Sequence, residues 1–375
     1  LVETSNSYAR GLLIGIRKYA ASRPEWSIYI GEHSRDETDL SWLDGWQGDG
    51  VLARIENEET ALQVRRLGVP AVNLSSAGLA PELPCVETDD DMIAQWAVDH
   101  FVERGLSHLA FCGDSRFGWS VKRQARFADH AAEHDKTVHS FELSTRSVAE
   151  NRRSLMDWLQ ALPKPVGVLA CYDIAGQEIL EACKIAGISV PDSVVVLGVD
   201  NDDLLCNLTS PPMSSIQPDT SRTGFLAARL LDEMMAGTEL EPRMHLIEPL
   251  RIVVRQSSDL LHVDDAVVSG ALRYIRQHAS GSLNPDSIAR HVGLSRRSLD
   301  LRFLRLVGRS VHQEVVRARM GRVSDLLLRT DLTLPQIAER LDFPHSEYMS
   351  VAFRRLTGLT PGEYRRANRG DTSRV

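Results

Sequence analysis

The feature that most limits what this 375-residue chain can fold into is a repeat near its end. Ala338 follows Ala289 by 49 positions, Phe353 follows Phe303 by 50, and Gly358 follows Gly308 by 50. Asn284-Pro285 opens the helical stretch around the first Ala, and Thr333-Leu334-Pro335 opens the second. A proline is tolerated in a first helical turn, where its missing N–H has no intrahelical partner in any case. A small Ala lets a second helix pack close, Gly293 supplies the turn, and Ser295 caps the helix that follows. One such match arises easily by chance. Two in near-register, each followed by Phe and Gly at fixed offsets, describe two helix-turn-helix units in series. Val311–Thr330 reads as one long helix between them, setting a separation that must suit about one turn of DNA, roughly 34 Å.

The second helix of the first unit, Arg296–Val307, carries Arg296, Arg297, Arg302 and Arg305 around an apolar stripe of Leu299, Phe303 and Leu306. One face is built to be buried and the other is cationic, the outline of a recognition helix. Net charge is −8 for the whole chain, which is wrong for a nucleic-acid binder until the chain is divided. From Asp265 to Val375 there are 19 Arg and no Lys against 11 Asp and Glu, a net +8, which leaves −16 on residues 1–264. A basic tail on an acidic body fits a nucleic-acid module attached to something else, although Arg-rich helices can also be simply well solvated.

In the body, strand-like runs (Trp26–Gly31, Gly50–Arg54, Val69–Leu74, His108–Gly113, Val166–Cys171, Val194–Val199) alternate with stretches of helical period. The helical stretches are Tyr8–Ala21, Asp91–Arg104, Val121–His134, Ala175–Ala186 and Thr220–Ala236. Alternation of this kind argues for parallel sheets covered by helices, and its extent calls for two doubly wound lobes or one barrel. Leu1-Val2-Glu3 reads as the clipped end of a first strand, which leaves a preceding signal segment open. No apolar run reaches membrane-spanning length, so no membrane partner is expected. The five cysteines are odd in number, form no CxxC and lie mostly in apolar stretches, which suits a reducing cytoplasm.

The run from Gly167 to Asn201 decides for two lobes, because it resembles the LacI-type, periplasmic-binding-protein-like sensor fold. The resemblance extends to Ser5-Asn6-Ser7-Tyr8, Asp49-Gly50-Val51, Thr88-Asp89, Gly198-Val199-Asp200-Asn201 and Ser215-Ile216-Gln217-Pro218. It implies a sensor over 1–258, with lobe 1 at about 1–88 and 217–256 and lobe 2 at about 89–216. A small ligand would sit between the lobes at the carboxyl ends of the strands. Sugar hydroxyls suit carboxylates and Arg forks, and an aromatic face suits the C–H side of the ring. The candidates are Tyr8, Asp89, Trp119, Arg123, Asp173 and Asp200; Arg123 matches the Arg that such sensors use on the ligand. Asp89 and Asp173 read equally as helix caps, Trp119 as a core aromatic and Arg123 as a surface helix residue.

Residues 259–375 resemble the C-terminal double helix-turn-helix domain of AraC-type regulators, closing with Thr360-Pro361-Gly362-Glu363-Tyr364-Arg365-Arg366. LacI-type regulators carry their DNA-binding headpiece at the other end, so this chain combines two families. That combination is similar to the bacterial xylose-operon regulators. It implies an activator that takes a pentose, D-xylose first, and binds double-stranded operator DNA as a homodimer. RNA polymerase is left open as a further partner, and no cofactor or metal is expected. By position, Arg296, Arg297, Asp300 and Arg302 belong to the first DNA-reading helix. His345, Ser346, Glu347 and Ser350 belong to the second, where Arg354 and Arg355 hold phosphate. Leu301 departs from the family, which often has a polar or Arg residue there.

Two other classes fit less well. An enzyme would need a reactive motif, but Gly113-Asp114-Ser115-Arg116-Phe117-Gly118 is not GxSxG, and there is no P-loop or GxGxxG. His130 and His134 stand at i, i+4, yet no HExxH frames them, so a solvated helix face is the better reading. The basic tail argues against a free solute-binding protein.

Overall fold

The computed structural model describes residues 1–31, 43, 45–143, 148–260, 263, 265–279 and 283–369. The chain divides into two compact units, Leu1–Val102 with Leu106–Ser258, and Glu103–Gly105 with Asp259–Val375. The first unit holds two open sheets, so the barrel alternative falls away. A four-stranded parallel sheet runs in the order β1 (Val51–Ala53), β2 (Ala71–Asn73), β3 (Cys85–Thr88), β9 (Met244–Ile247). Alternate side chains of this sheet enter different cores, as the two-residue period of a strand requires. Val72, Leu74 and Val86 pack on α1 (Ser7–Ala20) and α8 (Thr220–Met235), while Val51, Ala53 and Ala71 pack with α2 (Glu58–Leu67). Helices α1 and α8 cross so closely that a Cβ on Gly15 would lie 2.1 Å from Ser221 O, and one on Gly224 2.0 Å from Leu12 O. Only glycine fits at that crossing.

The larger sheet runs β10 (Arg251–Val253), β8 (Ser214–Gln217), β7 (Val194–Val199), β6 (Val166–Ala170), β4 (His108–Gly113), β5 (Val138–Glu142). It is parallel except for β10, which pairs antiparallel with β8. Strands β6 and β7 are buried along their whole length, which is why they read as unbroken apolar runs. Helices α3 (Asp90–Val102), α4 (Gly118–Glu133), α5 (Val148–Ala161), α6 (Asp173–Ile185) and α7 (Asp203–Leu208) complete this lobe.

Two sequence expectations need correction. Trp26–Gly31 joins neither sheet. Ile28 and Ile30 are about half exposed, and strand propensity without a ladder partner does not make a strand. Residues 251–253 were expected in lobe 1, but they form the edge of the larger sheet, so the chain crosses between lobes three times. That strand is only three residues long and partly exposed, too short for an alternating pattern that would place it.

The second unit is all helical: α9 (Ala266–His278), α10 (Pro285–His291), α11 (Arg296–Leu306), α12 (Val311–Arg329), α13 (Leu334–Arg340), α14 (Ser346–Thr357) and α15 (Pro361–Arg369). It has two small cores. Leu272, Ile288, Leu299 and Phe303 lead the first; Val323, Ile337, Met349 and Phe353 lead the second. Helix α12 feeds both, through Val311 and Val315 on one side and Met320, Val323 and Leu327 on the other. The repeat survives as geometry. Asn284 and Thr333 each form a capping box with a Pro in the first turn. Gly293 (φ +71°) and Asp342 (φ +55°) make the two turns, and Gly308 (φ +73°) and Gly358 (φ +78°) end the two second helices. Each lies in the left-handed region that favours glycine.

Candidate functional site

In the first unit the chemistry gathers where the parallel strands end, as expected for open α/β sheets. From β3 the chain passes through Thr88 into α3, whose first residue, Asp90, meets Arg123 from α4. Arg123 Nε and a terminal nitrogen donate to Asp90 Oδ1 at 2.9 and 2.6 Å, and the other terminal nitrogen donates to Cys171 O at the end of β6. Arg123 is only 6% exposed. Burial works against its cation, but Asp90 and then Asp200 outweigh that cost and hold it charged. The guanidinium lies 5.1 Å over the Trp119 ring. Trp119 stacks on Phe117 at 5.2 Å and meets Tyr172 edge-on at 5.8 Å. An arginine fork, two carboxylates and an aromatic wall thus share one place.

Asp200 follows β7 with φ +110°, and Asn201 follows with φ +49°. Non-glycine residues in this region cost on the order of 1–3 kcal/mol and persist where surroundings hold them. Asp173 is part of what holds them. Its carboxylate accepts from Ser215 Oγ at 2.6 Å and Asp202 N at 2.7 Å, pinning the loop that carries Asp200. Burial, then the neighbouring Asp200 charge, pushes the Asp173 carboxyl up to about 8.

The smaller lobe contributes a second buried network. Tyr8 OH donates to Glu87 Oε1 at 2.7 Å and lies 3.0 Å from Thr88 Oγ1. Arg54 pairs with Glu3 and Glu56 and sits 5.1 Å over the Tyr8 ring. Burial pushes the Glu87 carboxyl up to about 7; Arg54 opposes this and Asp90 adds to it. Contacts that span the lobes include Lys122 Nζ, which donates to Ser76 O, and Arg10, which pairs with Asp202 at 3.7 Å.

The structure therefore brings together Trp119, Arg123 and Asp200, whereas Tyr8 belongs to the separate network with Glu87, Thr88 and Arg54. Arg123 is buried and so is not a surface helix residue, while Trp119 is buried among Phe117 and Tyr172, as a core aromatic would be. Asp89 does not join them. Its carboxylate accepts from the Asp91 and Met92 N–H groups as a helix cap, because the first turn of α3 has donors with no intrahelical acceptor. Asp173 is likewise consumed by internal hydrogen bonds. Sequence reasoning missed Asp90, which only its contact with a residue 33 positions later reveals. It also missed Glu87 and Arg54; a Glu and an Arg at the ends of short buried strands were the available signal.

A separate cavity of about 710 Å³ lies between the Trp26–Gly31 segment and β1, floored by Leu13, Ile16 and Leu231. It contains none of the cleft residues. Leu1 N donates to Leu52 O at 2.9 Å and Arg54 N to Leu1 O at 3.0 Å, so the start of the chain lies along β1 in ladder fashion.

Helices α11 and α14 present arginines outward. Arg296, Arg297, Arg305, Arg354 and Arg355 are exposed. Leu299 and Phe303 anchor α11 inside, but Leu306, expected in the same stripe, is 39% exposed. Asp300 accepts from Val311 N at 3.0 Å, fixing α11 on the start of α12. Arg302 bonds Asp265, the cap of α9, at 2.8 Å. Both are tied within the fold, whereas Glu347 stays exposed, Ser346 and Ser350 half-exposed, and His345 stands exposed at the N-cap of α14 with no side-chain capping bond. His130 pairs with Asp91 at 3.2 Å and His134 with Asp99 at 3.7 Å, and among the described residues no metal-holding cluster forms. All five cysteines are free and buried.

Three family models match successive parts of the chain: a XylR N-terminal domain over residues 1–91, a periplasmic binding protein-like domain over 98–258, and a helix-turn-helix domain over 288–367. The xylose operon regulatory protein of Escherichia coli is 30% identical over 98% of this chain and 96% of its own. The chain belongs to the xylose-operon regulator family. The Haemophilus influenzae xylose operon regulatory protein is 27% identical over 97% of each chain. A solved structure described as a xylose-binding transcription activator, xylR, aligns with a TM-score of 0.77 at 29% identity, covering 98% of this chain and 97% of its own. A LacI-type regulator from Alkaliphilus metalliredigens complexed with D-xylulofuranose aligns at 0.56 and 18% identity over 68% of this chain, a likeness of fold alone. As a xylose-operon regulator, the chain is a sugar-responsive transcription regulator with a periplasmic-binding-protein-like sensor and an AraC-type DNA-binding domain. No helix among the described residues is long and apolar enough to cross a membrane.

Proposed function

We propose that this regulator binds D-xylose between the lobes of its sensor and activates transcription when it does so. The observation that carries the reading is the meeting of Arg123, Asp90, Asp200 and Trp119 at the carboxyl ends of the strands. Arg123 and the two carboxylates present donors and acceptors to adjacent hydroxyls, and the Trp119 ring covers a C–H face. On the other lobe, Arg54 Nε and Ser76 Oγ are buried with no hydrogen-bond partner among the described residues. Buried polar atoms of this kind favour a polyhydroxylated ligand that satisfies them. Tyr8 lines the same side, while Asp89 and Asp173 act through the elements they cap and pin.

A sugar gripped by both lobes stabilises the arrangement in which the lobes meet, and it can switch the protein only by binding that arrangement better. The output is double-stranded operator DNA, read in the cytoplasm by α11 and α14 of each protomer in a homodimer. Arg296 and Arg297, with His345, Ser346, Glu347 and Ser350, reach base edges; Arg354 and Arg355 hold phosphate. Asp300 and Arg302 keep α11 in place for this. RNA polymerase is the further partner that activation requires, and no catalytic step enters the account. Titration calorimetry of the full chain against D-xylose, L-arabinose and D-ribose tests the sensor. Heat and thermal stabilisation with D-xylose are expected; silence with all three pentoses would sink the pentose reading, and a response to another pentose alone would reassign the ligand.

A further inference from the structure

We propose that Leu301 and Val351 read thymine C5-methyl groups at two equivalent operator positions about one helical turn apart. This rests on the DNA-reading role given above to α11 and α14.

The two helices are in register at an offset of 50 residues, and their burial agrees at that offset. Leu299 and Met349 are buried, Phe303 and Phe353 are buried, Asp300 and Ser350 are half-buried, and Arg297 and Glu347 are exposed. In the same register Leu301 faces Val351, and these side chains are 60% and 70% exposed. At about 100° per residue, position 301 lies on the far side of the helix from both 299 and 303. Leu301 and Val351 therefore stand at the centre of the outward face of their helices.

An exposed apolar residue on a helix is ordinary by itself. Here two occupy one equivalent position, each with a further exposed side chain of apolar character three residues away (Leu304, Tyr348) and charged residues around it. Arg297 and Arg305 flank Leu301, and Arg354 and Arg355 follow Val351. Such a face suits a polyanion with an apolar feature at its centre. The major groove offers one: the thymine C5 methyl is the apolar group on its base edges, and phosphates line both rims. A leucine or valine carries no donor or acceptor, so it cannot distinguish bases by hydrogen bonding. It can reward a methyl group by excluding water from it.

The two units differ one turn earlier on the same face. Arg297 matches a guanine edge, whereas its counterpart Glu347 accepts from cytosine. The operator half-sites should then share the thymine and differ at the neighbouring base pair.

Operator duplexes selected from random DNA with the full chain, with and without D-xylose, provide the test. Each thymine is replaced in turn by deoxyuridine, which removes only the methyl. In the stretch bound by each protomer, two sensitive positions about ten base pairs apart are expected, each weakening binding about fourfold, the worth of one buried methyl. Leu301→Ala should abolish the penalty at one position and Val351→Ala at the other, while each variant binds the all-uracil duplex as the parent does. Penalties that persist in both variants, or tight binding indifferent to every uracil, would overturn the assignment while leaving DNA reading intact. Failure to select any duplex at all would overturn DNA reading itself.

Discussion

The sensor and the helical module put their charges in opposite places. Arg54, Arg123, Glu87 and Asp173 are all less than a tenth exposed, and each is held by partners drawn from several elements. Arg296, Arg297, Arg305, Arg354 and Arg355 lie outside, on two helices whose inner faces do the packing. A buried charge must be fixed by the fold before the ligand arrives, because an unpaired one costs several kcal/mol. An exposed charge needs only to be pointed the right way. In the sensor, the groups proposed for recognition are thus also groups that hold the fold; in the helical module the proposed readers and the packing residues are separate.

The largest expected effect follows from that coupling. Arg123→Ala leaves Asp90 buried against an empty site and should destabilise the sensor by roughly 3–5 kcal/mol while abolishing sugar binding. Denaturant melts and calorimetry read both quantities. Lost binding with unchanged stability would break the contrast, since it would make Arg123 as separable as a surface residue.

Arg355→Ala sharpens the other side. Its stability should stay within about 0.5 kcal/mol of the parent, as is usual for surface positions. DNA affinity should fall by a similar factor on every sequence, and the slope of log affinity against log salt should shrink by about two, one lost contact for each protomer of the dimer. Binding by electrophoretic shift at several salt concentrations checks this, and a loss confined to one operator sequence would move Arg355 from phosphate to base contact.

The smallest effect is a pH dependence confined to the sensor. Glu87 is held neutral up to about pH 7 by burial, with Asp90 adding to the effect and Arg54 and the Tyr8 hydroxyl opposing it. A carboxyl whose folded value is raised contributes stability that is complete below its unfolded value near 4 and is lost as pH rises through about 7. Urea midpoints of the sensor transition should drop between pH 5.5 and 8, and Glu87→Gln should flatten the drop. An unaltered slope in that variant would remove Glu87 from the account.

The sequence disclosed the helical module almost completely, because its information is local: caps, turns and a three-to-four-residue period repeated twice. Helices α11 and α12 start where expected and each end one residue short of their expected limits. In the sensor, β6 and β7 were legible because strands buried on both faces are apolar throughout. Strands β5 and β10 were not, since both are partly exposed edge strands that owe their state to a neighbour. The same limit applied to the cleft. An Asp after a strand looks alike whether it caps a helix, pins a loop or faces a ligand, so Asp89, Asp173 and Asp200 could be separated only by what each touches. Asp90 was hidden beside Asp89 for that reason.

Helix α12 has a mechanical consequence. Because its 19 residues are shared by both small cores, the two readers cannot slide or melt apart without breaking that helix. At about 1.5 Å per residue it is a strut of roughly 28 Å, stiff on the scale of the groove it must match. DNA advances by angle as well as by length, so five base pairs inserted between the half-sites would turn the second one to the far side of the duplex. The module is accordingly a gauge of helical phase, and an operator with a correct sequence but the wrong pitch would pass through it unread.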